Sequence, residues 1–378
     1  MAVSVPMHSK AIAVGFMKKN FLAIGLMSGT SLDGIDAAIL RTDGEKFVER
    51  GKFLTLPYTK RFRESLRSTL GGTGILELVE HELTLLHAKA IDTLLTKAGR
   101  KFSDIDLIGF HGHTVFHDPD QLKTHQIGDG ALLAAKTGID VICDFRANDV
   151  ANGGQGAPLV PLYHLALANS LTMPIAILNL GGVANITYLN GEEESLVAFD
   201  TGPGGAALDD WIRQKIGEPF DDGGKVASLG RASENILSEL LSAPYFDKSP
   251  PKSLDRDNFD INPIRSLSVR DGAATLTSFT CRAVVRALDH LPMPPKLWLV
   301  TGGGRKNKFM MKKLSEGLAV PVQPVEVMGW DGDALEAQAF AYLAVRSIKQ
   351  LPITLPGTTG VKEPMSGGIF YPKPSLFN

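Results

Sequence analysis

Residues 21–40 read FLAIGLMSGTSLDGIDAAIL: an apolar run, a bend of small and acidic residues, and a second apolar run. Phe21 to Met27 is apolar apart from Gly25, the composition of a strand covered on both faces. The bend, residues 28–36, offers the hydroxyls of Ser28, Thr30 and Ser31, the carboxylates of Asp33 and Asp36, and the glycines Gly29 and Gly34. Glycine permits close backbone approach, backbone N–H groups and hydroxyls bond phosphate oxygens, and Asp33 or Asp36 is suited to a hydrated Mg²⁺ beside them. The bend is not a Walker loop, because no G-x-x-x-x-G-K-[ST] follows the strand. A plain hairpin with a polar turn fits this stretch equally well, so other segments must decide.

At 378 residues the chain exceeds what one hydrophobic core usually serves, so two domains are expected. With 39 basic and 41 acidic side chains the net charge is −2, which supplies no electrostatic footprint for nucleic acid or an anionic membrane. Cys143 and Cys281 lack the spacing of a disulfide framework or a zinc knuckle, which favours a reducing cytoplasm. No apolar run reaches the roughly 18 residues of a membrane span. Residues 1–20 read as an N-terminal extension without a signal-peptide cleavage site.

Along the chain, Lys52 to Leu56 continues the meander as a third strand. Residues 60–98 carry apolar positions near a 3.6-residue period, as a helical stretch does. Asp106 to Phe110 is a short strand delivering His111-Gly-His113-Thr to its end, with His117 beyond. H-x-H-x₃-H could serve zinc, although ordinary hydrogen bonding at a cleft edge is the commoner use. Gln126 to Gly130 opens an alanine-rich helix, and the strand Val141–Cys143 places Arg146 and Asp149 at its C-terminal edge, where open α/β sheets bind ligands. The loop 153–156, GGQG, reads as a boundary, with hinges near Val150 and Gln350.

The same grammar restarts in the second half. Ile175–Leu180, a Gly181-Gly182 turn, Val183–Leu189 and Leu196–Phe199 repeat hairpin and strand, and the last delivers Asp200-Thr-Gly-Pro-Gly-Gly. A carboxylate at a strand end beside glycines suits a general base; capping of the helix from Ala206 is the alternative. Lys296–Thr301 leads into Gly302-Gly303-Gly304 and Asn307, a turn able to pass beneath an adenosine or its α-phosphate. Residues 332–348 form an amphipathic helix with Asp333 as N-cap and Glu336 at N3, so Glu336 is either a capping residue or a substrate contact. The glycine-rich tail from Pro352 is expected on the first domain.

With these segments together the chain closely resembles the anhydro-N-acetylmuramic acid kinases. The resemblance runs from residue 26 to 360 through LMSGTSLDGIDAAIL, GFHGHTV, QIGDGALLA, DFRANDVANGGQGAPLVP, NLGGVANITYL, FDTGPGGAALDDW, VTGGGRKN, DALEAQAFAYLA and TLPGTTG. It implies an α/β, two-domain actin-like/sugar-kinase (ribonuclease H-like) ATPase fold with a central inter-domain cleft. The first domain would span 21–150 plus 351–378 and the second 151–350, after an extension of residues 1–20. It implies an ATP-dependent kinase that opens the 1,6-anhydro ring of 1,6-anhydro-N-acetylmuramic acid with water and phosphorylates O6, in peptidoglycan recycling. Another sugar or small-metabolite kinase of the same fold is the alternative.

By the same resemblance Asp200 is the catalytic base. Gly29, Thr30, Ser31, Leu32, Asp33, Gly34, Ile35 and Asp36 form the ATP-phosphate segment, with Gly302, Gly303, Gly304 and Asn307 also on ATP. Asp33 holds Mg²⁺ through water, and Arg146, Glu336 and His113 lie on the sugar side. The family usually has Gln where this chain has His113. The partners implied are ATP and the anhydro sugar, with no nucleic acid or membrane, in a cytoplasmic homodimer.

Overall fold

The computed structural model describes residues 18–29, 31–254 and 258–374. It divides into two compact units, one made of the chain up to Asn169 together with the chain from Ala334, the other of Ser170–Asp333.

The first unit is built on β1 (Phe21–Ser28), β2 (Gly34–Thr42), β3 (Val48–Pro57), β4 (Leu107–Asp118), β5 (Lys123–Ile127) and β6 (Asp140–Cys143). The apolar runs around the bend pair as an antiparallel hairpin, Phe21 opposite Thr42 and Met27 opposite Asp36. β3 extends the hairpin into a meander, while β4 lies parallel to β1 and β6 parallel to β4. The second unit repeats this plan with β7 (Ile175–Leu180), β8 (Val183–Leu189), β9 (Val197–Pro203), β10 (Trp298–Thr301) and β11 (Val322–Pro324). Its order is β11-β10-β7-β8-β9, against β6-β4-β1-β2-β3 in the first. Two meanders, each continued by two parallel strands beside the first strand, are the duplicated ribonuclease H-like plan of the two-domain sugar-kinase fold. The tail adds β12 (Ile369–Tyr371) antiparallel to β6, so it does pack on the first unit.

Burial explains the first sheet. Ile24, Leu26, Ile35, Ala37 and Ile39 pack with Leu83, Ile91 and Leu94 of the helix Leu76–Ala98, each large side chain contributing about 1.5–3 kcal/mol. The helix Leu335–Ile348 packs against β1, β2 and β4. It does so at backbone contact, because a Cβ on Gly25 would stand 1.7 Å from the Ala337 carbonyl oxygen and one on Gly109 2.0 Å from that of Phe340. In the second unit the helix Val269–Arg286 supplies Phe279 and Val284 to a core holding Ile186, Phe199 and Trp298.

Several boundaries differ from expectation. Residues 60–98 are two helices, Lys60–Arg67 and Leu76–Ala98, parted by Gly71, Gly72 and Gly74, all at positive φ. β4 does not stop at Phe110 but runs on to Asp118, paired there with β5. The units divide at Asn169 and Asp333 instead of residues 150 and 350, because the helix Leu335–Ile348 buries its surface on β1. That helix is not capped by Asp333. Its N-cap is Ala334, without a side-chain bond, and Asp333 instead pairs with Arg305 and Lys306.

Candidate active site

The bend after β1 is held from below and open above. Leu32 takes a left-handed conformation (φ 59°), its N–H donates to the Gly29 carbonyl at 3.1 Å, and its side chain is buried. The Asp33 carbonyl accepts from Tyr58 N–H at 3.0 Å. Ser31 and Asp33 are exposed, and the Asp33 carboxylate has no hydrogen bond or ion pair among the described residues. Thr30 lies outside the described residues. Gly34, Ile35 and Asp36 belong to β2. Ile35 is buried and Asp36 Oδ1 accepts from Thr55 Oγ1 at 2.5 Å, so these three shape the bend while Gly29, Ser31 and Asp33 face outward.

Beneath the bend stands a contact the sequence did not disclose. Ser28 Oγ lies 2.6 Å from the Tyr58 hydroxyl and 2.9 Å from His113 Nδ1. His113 is fully buried, and burial pushes its pKa down to about 4. His113, expected on the sugar side, has no exposed surface and its ring meets Ser28 beneath the bend. His111 and His113 sit inside β4, not at its end. His111 bonds Arg146, His113 bonds Ser28, and His117 Nδ1 lies 3.0 Å from Thr124 Oγ1. The three imidazoles serve different partners, and no group of three His, Cys, Asp or Glu fit for a metal ion occurs among the described residues.

Arg146 follows β6 and is half-buried. Its Nε–H donates to His111 Nε2 at 3.0 Å and Nη1 to the Gly156 carbonyl at 2.6 Å. Burial lowers its pKa to about 10, with Glu336 and Asp149 pulling it back up. Two sides of the guanidinium are thus fixed, and Nη2 has no partner among the described residues. Glu336, in the first turn of its helix, is solvent-accessible. Surrounding protein raises its carboxyl pKa while Arg146 opposes the rise. Asp149 is spent on structure: it is buried, Oδ1 accepts from Gly156 N–H at 2.6 Å and Oδ2 from Thr359 Oγ1 at 2.6 Å. A guanidinium fixed on two sides can offer its remaining edge to an anionic oxygen.

In the second unit Asp200 lies within β9, opposite Asn185, and is half-buried. It does not cap the next helix, whose N-cap is Gly205 without a side-chain bond. Instead Oδ2 accepts from Leu254 N–H at 2.8 Å, its N–H donates to the Lys252 carbonyl at 3.0 Å, and its carbonyl accepts from the Tyr245 hydroxyl at 2.5 Å. Burial, with the Asp200 charge adding to it, keeps the Tyr245 phenol protonated. The Leu254 N–H thus orients a carboxylate that remains partly accessible.

The turn after β10 rests on the end of β7. Gly302 has φ 75°, and a Cβ there would stand 2.3 Å from Asn179 Oδ1; at Gly304 it would stand 2.6 Å from Leu180 Cβ, whereas Gly303 has nothing within 4 Å. Arg305 locks the turn, with Nη1 on the Gly302 carbonyl at 2.8 Å, Nε on Glu326 at 2.7 Å and Nη2 on Asp333 at 2.9 Å. Asn307 N-caps the helix Lys308–Leu318, its Oδ1 accepting from Met310 N–H at 3.0 Å. Gly303 is thus the outward point of the turn, and the side-chain oxygen of Asn307 is committed to the helix.

A family profile described as anhydro-N-acetylmuramic acid kinase matches residues 21–373. The anhydro-N-acetylmuramic acid kinase of Paramagnetospirillum magneticum is 53% identical over 350 residues, covering 92% of this chain and 98% of that protein. That of Rhodospirillum rubrum is 51% identical over 355 residues, covering 93% and 94%. Among solved structures, the ADPNP-bound activator of the 2-hydroxyisocaproyl-CoA dehydratase from Clostridium difficile aligns with a TM-score of 0.46 at 13% identity, covering 87% of this chain and 96% of that one.

Proposed function

The chain belongs to the anhydro-N-acetylmuramic acid kinase family, and from that premise we propose that it converts 1,6-anhydro-N-acetylmuramic acid, water and ATP into N-acetylmuramate 6-phosphate and ADP, in peptidoglycan recycling. Water adds to C1 while Asp200 accepts its proton, the bond from C1 to O6 breaks, and O6 takes the γ-phosphoryl group of ATP. The observation that carries the reading is the environment of Asp200: a half-buried carboxylate oriented by the Leu254 N–H on Oδ2 and set in a strand by bonds to its own N–H and carbonyl.

Gly29, Ser31 and Asp33 are the outward members of the ATP-phosphate bend, and Gly303 is the point of the second turn nearest to open space. The exposed Asp33 carboxylate suits a water-mediated Mg²⁺, which when bound neutralises charge on the phosphates. Arg146, with its unspent Nη2, is suited to the lactyl carboxylate of the sugar, and Glu336 to a sugar hydroxyl. A cytoplasmic homodimer completes the reading. No helix among the described residues is long and apolar enough to cross a membrane.

The test is Asp200→Asn. Loss of a general base costs about 10²–10⁴-fold in turnover, with nucleotide binding retained. Near-normal turnover on the anhydro sugar would remove Asp200 from the chemistry and favour a kinase acting on a different substrate.

A further inference from the structure

Lys252 is a buried amine held by carbonyls and an imidazole. Its Nζ lies 3.2 Å from the Tyr245 carbonyl, 3.2 Å from the Phe246 carbonyl and 3.1 Å from His290 Nε2. It also sits over the Tyr245 ring, 4.8 Å from the centroid. It has no ion pair among the described residues. An ammonium placed among carbonyls and rings loses hydration, and burial, with Arg286 adding to it, lowers its pKa to about 8 while Asp247 opposes the fall. The charged groups around it are Arg286, Asp247 and Lys248, all outside the proposed chemistry.

The main chain of the same residue is tied to the proposed base. The Lys252 carbonyl accepts the Asp200 N–H, and two residues on, Leu254 N–H donates to Asp200 Oδ2. The amine meanwhile folds back onto the carbonyls of Tyr245 and Phe246, and the Tyr245 hydroxyl holds the Asp200 carbonyl. Residues 245–254 therefore form a loop closed on itself by one lysine and fastened to Asp200 at three points. Links between the lysine's loop and Asp200 run through the main chain of Lys252 and Leu254 and the Tyr245 hydroxyl.

We propose that Lys252 is a positioning residue that closes this loop and thereby keeps the Leu254 N–H on the Asp200 carboxylate, so that the base stays ionised. The proposal rests on the reading of Asp200 as the base. A hydrogen bond to the charged form of a carboxylate favours that form, and its loss raises the pKa.

The experiment is the pH profile of kcat/KM for 1,6-anhydro-N-acetylmuramic acid in Lys252→Met, with Leu254→Pro as a second variant that deletes the N–H itself and leaves the lysine in place. The expected result is an acid limb moved up by about one pH unit and a kcat lowered about tenfold, with the KM for ATP within about twofold of the parent. Leu254→Pro should move the limb in the same direction and carries the test if Lys252→Met does not fold. An acid limb unchanged in the folded variants overturns the proposal. Asp200→Asn run in parallel separates the two readings: if it retains turnover, the base assignment has failed and the proposal with it; if it is inactive while the limb in Lys252→Met stays put, only the positioning role has failed.

Discussion

The Nε–H of Arg146 donates to Nε2 of His111 at 3.0 Å, while Nδ1 of the same ring lies 2.9 Å from the Gly112 carbonyl oxygen. Both ring nitrogens are thereby assigned: Nδ1 carries the proton and donates to the carbonyl, and Nε2 accepts from the guanidinium. A second proton on Nε2 would oppose Arg146, and burial followed by the Arg146 charge holds the pKa well below the ordinary histidine value.

His111→Ala should therefore loosen Arg146 without touching the nucleotide. We expect the KM for the anhydro sugar to rise about tenfold, the worth of one hydrogen bond to a charged group, with the KM for ATP unchanged. Steady-state kinetics with each substrate varied in turn check this; an unaltered sugar KM would mean that Arg146 needs no such anchor or does not meet the sugar.

The first unit should also be sensitive to acid. His87 and His113 are held near pKa 4 and His164 near 3 by burial. These folded values lie below the unfolded value of about 6.5, so the unfolded chain binds more protons as the pH drops. Their stabilising effect is complete above about 6.5 and is lost as the pH falls toward the folded values, by about 1.4 kcal/mol per pH unit for each histidine that the unfolded chain protonates. Urea midpoints at pH 7.5, 6 and 5 would show a steep decline below 6.5. Equal midpoints at pH 7.5 and 5 would contradict the buried neutral state of these rings.

Glycine replacements should separate scaffold from site. Gly25→Ala and Gly109→Ala push a methyl into the backbone of the helix Leu335–Ile348, and we expect losses of several kcal/mol or insoluble protein, as over-packing of a rigid contact causes. Gly303→Ala meets nothing within 4 Å and should leave the melting temperature within about 2 °C while raising the KM for ATP. A Gly303→Ala protein with parental ATP kinetics would take that turn out of nucleotide binding.

Much of this was legible in the sequence, for reasons that can be named. β7 and β8 begin and end where their apolar runs meet Gly181-Gly182 and Asn190-Gly191, and the repeat of strand and turn from residue 175 announced the second sheet. The break after Arg67 was also written, in Gly71-Gly72-Thr73-Gly74, yet the helical period on both sides concealed it. The extension of β4 through HGHTVFHD was hidden because His111 and His113 are polar but buried, bonded to Arg146 and Ser28 of other elements. Asp333 has the composition of a cap, and the stronger pull of Arg305 and Lys306 takes it. Lys252 and Tyr245 lie some fifty residues from Asp200 in a stretch without periodicity, so no local pattern could join them to it. Contacts of that kind are made by the fold.

In the proposed function, ring opening by water and phosphoryl transfer to O6 are one reaction on this chain. Protein incubated with ATP, Mg²⁺ and 1,6-anhydro-N-acetylmuramic acid in ¹⁸O-labelled water, sampled early and compared with unlabelled product carried through the same solvent to correct for exchange at C1, tests it by mass spectrometry. A coupled reaction gives a sugar phosphate heavier by one ¹⁸O atom beyond the exchange control. A phosphorylated sugar without excess label, or no phosphorylated sugar while ATP is bound or turned over, would contradict it.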